Sequence, residues 1–113
     1  QYEEVFPKLQ KSNIDIISLE CQNSHVPIEL LELVRGKKIM VGAIDVATNT
    51  IETPEEVAKT LREALKYVDA DKLYPCTNCG MAPLPRDIAN GKLNALSKGA
   101  ELVRNELLAA NVA

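Results

Sequence analysis

Leu73-Tyr74-Pro75-Cys76-Thr77-Asn78-Cys79-Gly80-Met81 reads as a short apolar strand that ends in a cysteine-bearing turn, with a long helical pattern behind it. Parallel α/β sheets carry their reactive groups at the carboxyl ends of strands. Cys79 stands at such an end, and Gly80 after it lets the backbone turn sharply where a side chain would clash. Two earlier apolar runs close in the same way, residues 14–19 in Glu20 and residues 38–46 around Asp45. The expectation is that these three strand ends face one site.

Working outward, the helical pattern after the turn begins near Asp87 and runs to about Ala109. Leu93, Leu96, Ala100, Val103 and Leu107 form its expected buried stripe. Gly91, Ala95 and Gly99 lie four apart and make a small-residue face for a close neighbour, although each glycine costs roughly 1 kcal/mol of helix propensity. Before the turn, Thr53-Pro54-Glu55-Glu56 is a helix start: Thr53 caps, Pro54 fits the first helical position and Glu56 is the capping-box partner. Val57, Leu61, Ala64, Leu65 and Val68 repeat behind it with helical period.

Residues 38–46 form the second strand, with Ile39, Met40, Val41, Ala43, Ile44 and Val46 as its apolar body. Pro27 opens a helix over residues 28–34 that Gly36 ends. Residues 14–19, rich in β-branched side chains, read as a buried parallel strand. In residues 2–11, Tyr2, Val5, Phe6 and Leu9 share one helical face, with Pro7 tolerated near the start. The order α-βα-βα-βα with short connections implies parallel strands and right-handed crossovers. A doubly wound sheet and part of a (β/α)8 barrel both satisfy it.

The totals narrow the function classes. A chain of 113 residues holds one domain at most, and its 46% hydrophobic and 26% charged residues are ordinary for a globular fold. A net charge of −3 gives no basic footprint for nucleic acid or an anionic membrane. Three Tyr, one Phe and no Trp offer no base-stacking platform. The apolar runs are too short to span a bilayer. The acidic first residues are unlike a secretory leader, so the three cysteines point to a reducing, cytoplasmic setting in which thiols serve as ligands or catalysts. Gln1, with helical periodicity starting almost at once, is read as the start of a fragment or processed chain.

Glu20 closes an otherwise apolar strand, either as a solvated carboxylate or as a metal ligand or general base. Cys21, next to it, points to the opposite face and is expected to pack as a small hydrophobe. Cys76 and Cys79 form C-x-x-C without the second ligand pair that a structural zinc site needs. Pro83 and Pro85 separate them from the helix start that a thioredoxin-type pair occupies. What remains is Cys79 as one thiolate ligand in a site built from distant strands, with Cys76 as a packing residue. Asp45 either orients a ligand from behind or bonds loop backbone. His25, the sole histidine, reads as an exposed loop residue.

Taken together, Ile17-Ser18-Leu19-Glu20, then Val41-Gly42-Ala43-Ile44-Asp45-Val46 followed by Thr53-Pro54-Glu55-Glu56, then Asn78-Cys79-Gly80 resemble, in order and spacing, one catalytic barrel. That barrel is the C-terminal one of cobalamin-independent methionine synthase. The run from Tyr74 to Leu84 looks most like the short, single-barrel core-type members. The resemblance implies that residues 1–113 are the last three βα units of a (β/α)8 barrel, preceded by one helix. It also implies a zinc ion held by Glu20, Cys79 and an upstream H-x-C motif. Homocysteine would then be methylated to methionine. The family's histidine after the strand-end aspartate is Ala47 here, which counts against folate as the direct methyl donor and points toward a corrinoid or another methyl carrier; His25 substitutes only if its loop folds over the site. The alternatives are a catalytically inactive fragment that self-associates or relies on the missing part of the barrel, and a related barrel methylating another thiol such as coenzyme M.

Overall fold

The computed structural model describes residues 2–23 and 26–112; His25 lies outside them. The order is α1 (Tyr2–Lys11), β1 (Ile16–Glu20), a 3₁₀ helix (Ile28–Val34), β2 (Lys38–Ile44), α2 (Pro54–Ala64), a 3₁₀ turn (Ala70–Lys72), β3 (Leu73–Thr77) and α3 (Arg86–Val112). The three strands are parallel in the order β1-β2-β3. This is the α/β pattern expected of consecutive βα units.

Local chemistry accounts for the element ends. Thr53 accepts the Glu56 amide at 3.1 Å, and Pro54 opens α2. Pro27 precedes the 3₁₀ helix, and Gly36, at φ +97°, turns the chain into β2 through the left-handed region that glycine enters without steric cost. Residues 28–34 wind as 3₁₀ rather than α, burying Leu31 and Val34 under α1. Pro7 sits in the second turn of α1, where its missing N–H forfeits a helical bond. Phe6, buried beside it, anchors that helix, while Tyr2 and Val5 stay exposed.

Two apolar clusters hold the layers together. Phe6, Ile17, Leu31, Val34, Ile39 and Val41 fill the first, between β1, β2, α1 and the 3₁₀ helix. Ala43, Ile44, Val57, Leu61, Ala95 and Val103 fill the second, between β2, α2 and α3. β1 is buried on one face only, contrary to the expectation for residues 14–19. Ile17 and Leu19 meet the helices, whereas Ile16, Met40 and Tyr74 are 49%, 37% and 42% exposed on the other face. That second face corresponds to the interior of a (β/α)8 barrel, which only further strands can cover.

β2 ends at Ile44 rather than Val46, and α3 buries most of the expected line, with Leu96, Ala100, Val103 and Leu107 packed in the second cluster. Leu93 is the exception at 47% exposed, and Lys92, Ala95 and Gly99 widen the buried face instead. The small-residue face is real. A Cβ on Gly91 would stand 3.2 Å from Ile51 Cγ1; one on Gly99 would stand 2.6 Å from Val57 Cβ and 2.8 Å from the Pro54 carbonyl. Gly99→Ala therefore sets a helix-propensity gain of about 1 kcal/mol against an overpacking cost of about 1–3 kcal/mol. Because backbone is among the atoms struck, packing wins. Denaturant unfolding of the full-length protein should show a net loss of about 1–2 kcal/mol.

Candidate functional site

The carboxyl ends of the three strands are laced together. In register, Glu20 pairs with Gly42 and Gly42 with Cys76, so these three positions share the inner face. Past β3, the Asn78 amide donates to the Ile44 carbonyl at 2.9 Å, and Asn78 Nδ2 donates to the Gln22 carbonyl at 2.7 Å. Asn78 thereby ties the turn that carries Cys79 to the loop that leaves Glu20. Thr77 Oγ1 donates to the Cys79 carbonyl at 2.8 Å and tightens the same turn. This lacing requires Gly42, since a Cβ there would sit 3.0 Å from Asn78 Cα and 3.1 Å from the Leu19 carbonyl. Gly80 has no such duty: a Cβ on it would meet nothing within 4 Å, and its φ is not left-handed.

Asp45 lies just past β2. Its Oδ1 accepts the Ala47 amide at 2.9 Å and its Oδ2 accepts from Asn23 Nδ2 at 3.3 Å. The carboxylate is thus bonded to loop backbone and to the loop after β1. Asn23 tolerates the left-handed φ of 50° found there. Glu20, Asp45, Asn23, Ala47 and Asn78, with Tyr2, line an open cavity of about 320 Å³ at the strand ends. Glu20 and Cys79 are both exposed, and the structure brings the segments that bear them together. Among the described residues, no three His, Cys, Asp or Glu side chains gather closely enough to hold an ion by themselves. A carboxylate and a thiol are both zinc donors, and two of them make half of a tetrahedral set.

All three cysteines are free thiols. Cys21 turns to the helix side, donating to the Leu19 carbonyl at 3.6 Å, and burial pushes its pKa up to about 11, with a smaller push from Cys76. It packs as a hydrophobe, as expected. Cys76, on the inner face, is also held up by burial and pulled part-way back by a hydrogen bond with Ser18.

The structural roles of Lys92, Glu52, Asn78 and Gly42 are not expected from the sequence. Lys92 left a trace: Ile88, Lys92, Ala95, Gly99 and Val103 fall at spacings of four and three, which places a lysine inside an otherwise small or apolar stripe. Gly42 and Asn78 left none, because each is explained only by the other.

Known proteins align with this arrangement. Residues 1–102 match the family model described as cobalamin-independent synthase, catalytic domain. The chain is 40% identical over 108 residues to a methionine synthase of Sulfurisphaera tokodaii, covering 95% of this chain and 32% of that protein. It is 34% identical over 116 residues to the 2-hydroxypropyl-CoM lyase of Xanthobacter autotrophicus, covering 96% and 31%. The structure of a B12-independent methionine synthase from Shewanella sp. W3-18-1, in complex with selenomethionine, is similar with a TM-score of 0.93 and 82% identity. That match covers 96% of this chain and 32% of the other. The chain thus spans about a third of the length of these relatives.

Proposed function

The chain belongs to the cobalamin-independent methionine synthase catalytic-domain family, and from that premise we propose that residues 1–113 supply the last three βα units of a (β/α)8 barrel methylating the thiol of homocysteine. The supporting observation is the Asn78–Gln22 bond, which joins the turn bearing Cys79 to the loop that follows Glu20. Glu20 and Cys79 would hold a zinc ion as two of its four ligands, with the other two, a histidine and a cysteine, outside residues 1–113. Zinc bound there lowers the pKa of a coordinated thiol, so that the thiolate exists at neutral pH. The sulfur lone pair forms the new S–CH3 bond, and the electrons of the old methyl bond leave with the donor.

The chain's own residues shape that chemistry. Asp45 orients the loop after β2, and the strand-end cavity sets the space in which thiol and donor meet. Ala47 at that wall carries no proton for a departing group, which favours a corrinoid donor over folate. Thiol ligands of this kind would call for a reducing setting, in keeping with a cytoplasmic enzyme. The exposed Ile16, Met40 and Tyr74 support the further reading that residues 1–113 alone would be inactive and would depend on the rest of the barrel or self-associate.

The test is methionine formation by the full-length protein from homocysteine, with methyltetrahydrofolate or methylcobalamin as donor and one zinc per barrel by metal analysis. No product with either donor would defeat the reading. The 34% identity to a 2-hydroxypropyl-CoM lyase supports a second thiol class, and methylation of coenzyme M in preference to homocysteine would select it.

A further inference from the structure

The most deeply buried charge in the described chain lies outside the proposed ligand set. Lys92, on α3, is fully buried. Its Nζ donates to the Thr50 carbonyl at 2.7 Å, the Asp45 carbonyl at 2.9 Å and Glu52 Oε1 at 2.9 Å. An ammonium has three donors, and all three are used. The second oxygen of Glu52 accepts the Asp45 amide at 2.8 Å. Both backbone polar groups of Asp45 are therefore held, one by Lys92 and the other by the carboxylate paired with it.

The loop over residues 45–52 is consequently pinned at both ends to one nitrogen atom. Close approach of α3 makes this reach possible, since Gly91 packs against Ile51 of the same loop. The far side of Asp45 faces the strand-end cavity, where its carboxylate holds the Ala47 amide and Asn23.

We propose that Lys92 is a positioning residue that, paired with Glu52, clamps the 45–52 loop and thereby fixes the Asp45–Ala47 wall of the strand-end cavity. A lysine suits this task because three acceptors converge on one point. An arginine would spread its donors over a planar fork. The inference rests on the reading that the reaction occurs in that cavity, but the clamp has a readout of its own.

The test uses Lys92→Met in the full-length protein. Hydrogen exchange at the Asp45 and Ala47 amides should accelerate about 10-fold or more, with α2 and α3 amides still protected. Under the same conditions kcat for methyl transfer should fall about 10–100-fold, as for a misplaced wall, with zinc content and KM for the thiol unchanged. If a lone buried Glu52 prevents folding, the double variant Lys92→Met/Glu52→Gln removes both charges and should show the same loop exchange. Lys92→Arg should not restore kcat. Unaltered exchange at residues 45 and 47 in a folded variant, unaltered kcat, or rescue by arginine would each overturn the clamp. If the wild-type protein transfers no methyl group, the reaction reading fails, and exchange at those two amides still decides the clamp.

Discussion

Cys79→Ala in the full-length protein is expected to lose its zinc on gel filtration and to form no measurable methionine. Removing a group that merely supports a metal ligand already costs about 10–100-fold in affinity or activity, so removing a ligand costs more. The three cysteines differ enough to make this a sharp test. Cys21 turns to the helix side, packed against the first apolar cluster and donating to the Leu19 carbonyl, away from the inner face that Glu20 shares. Cys76 lies within β3, opposite Gly42, with burial holding its pKa up. Cys79 is exposed on a turn at the strand ends. Cys21→Ala and Cys76→Ala should therefore keep about one zinc per barrel by metal analysis. Zinc retained in Cys79→Ala and lost in Cys76→Ala would move the ligand one turn back, into the strand.

What the sequence made legible was local. The start of α2 is written in four adjacent residues, Thr53-Pro54-Glu55-Glu56, and the capping bond forms as expected. The glycines of α3 announced a close approach, and Ile51 and Val57 fill it. What was illegible depends on residues far apart in the chain. Lys92 is a polar residue by type, and two of its three acceptors are backbone carbonyls 42 and 47 residues away, which no side-chain pattern records. Leu93 falls on the expected stripe by its helical spacing from Leu96 and Ala100, yet Lys92 with its acceptors takes the buried position beside it and Leu93 is exposed. β1 looked buried on both sides because an apolar run has the same composition whether its second face meets helices or the interior of a barrel. Asp45 was recognised as needing partners, but the choice between loop bonding and ligand support was not written in its neighbours. The bonds to Ala47 and Asn23 show loop bonding, and support of a ligand belongs to the proposed function.

Glycine gives the second large effect, and it separates two residues that the sequence treats alike. Gly80 follows Cys79 and looks like the hinge of the turn, whereas Gly42 sits unremarked inside an apolar strand. The structure reverses their weights. At Gly42 an added Cβ meets Asn78 Cα at 3.0 Å and the Leu19 carbonyl at 3.1 Å. Both are backbone atoms, which cannot rotate aside as a side chain does. Relief requires the Asn78 turn to lift from β2, which strains its bonds to the Ile44 and Gln22 carbonyls and displaces Cys79, the next residue, relative to Glu20. Gly42→Ala should cost the full-length protein about 1–3 kcal/mol in denaturant unfolding. Its zinc affinity should fall about 10–100-fold, as when support behind a ligand is removed. Gly80→Ala, with open space around it, should stay within about 0.5 kcal/mol and keep its metal. If Gly42→Ala loses stability without losing zinc, Asn78 does not carry the position of Cys79, and the lacing of the strand ends is structural alone.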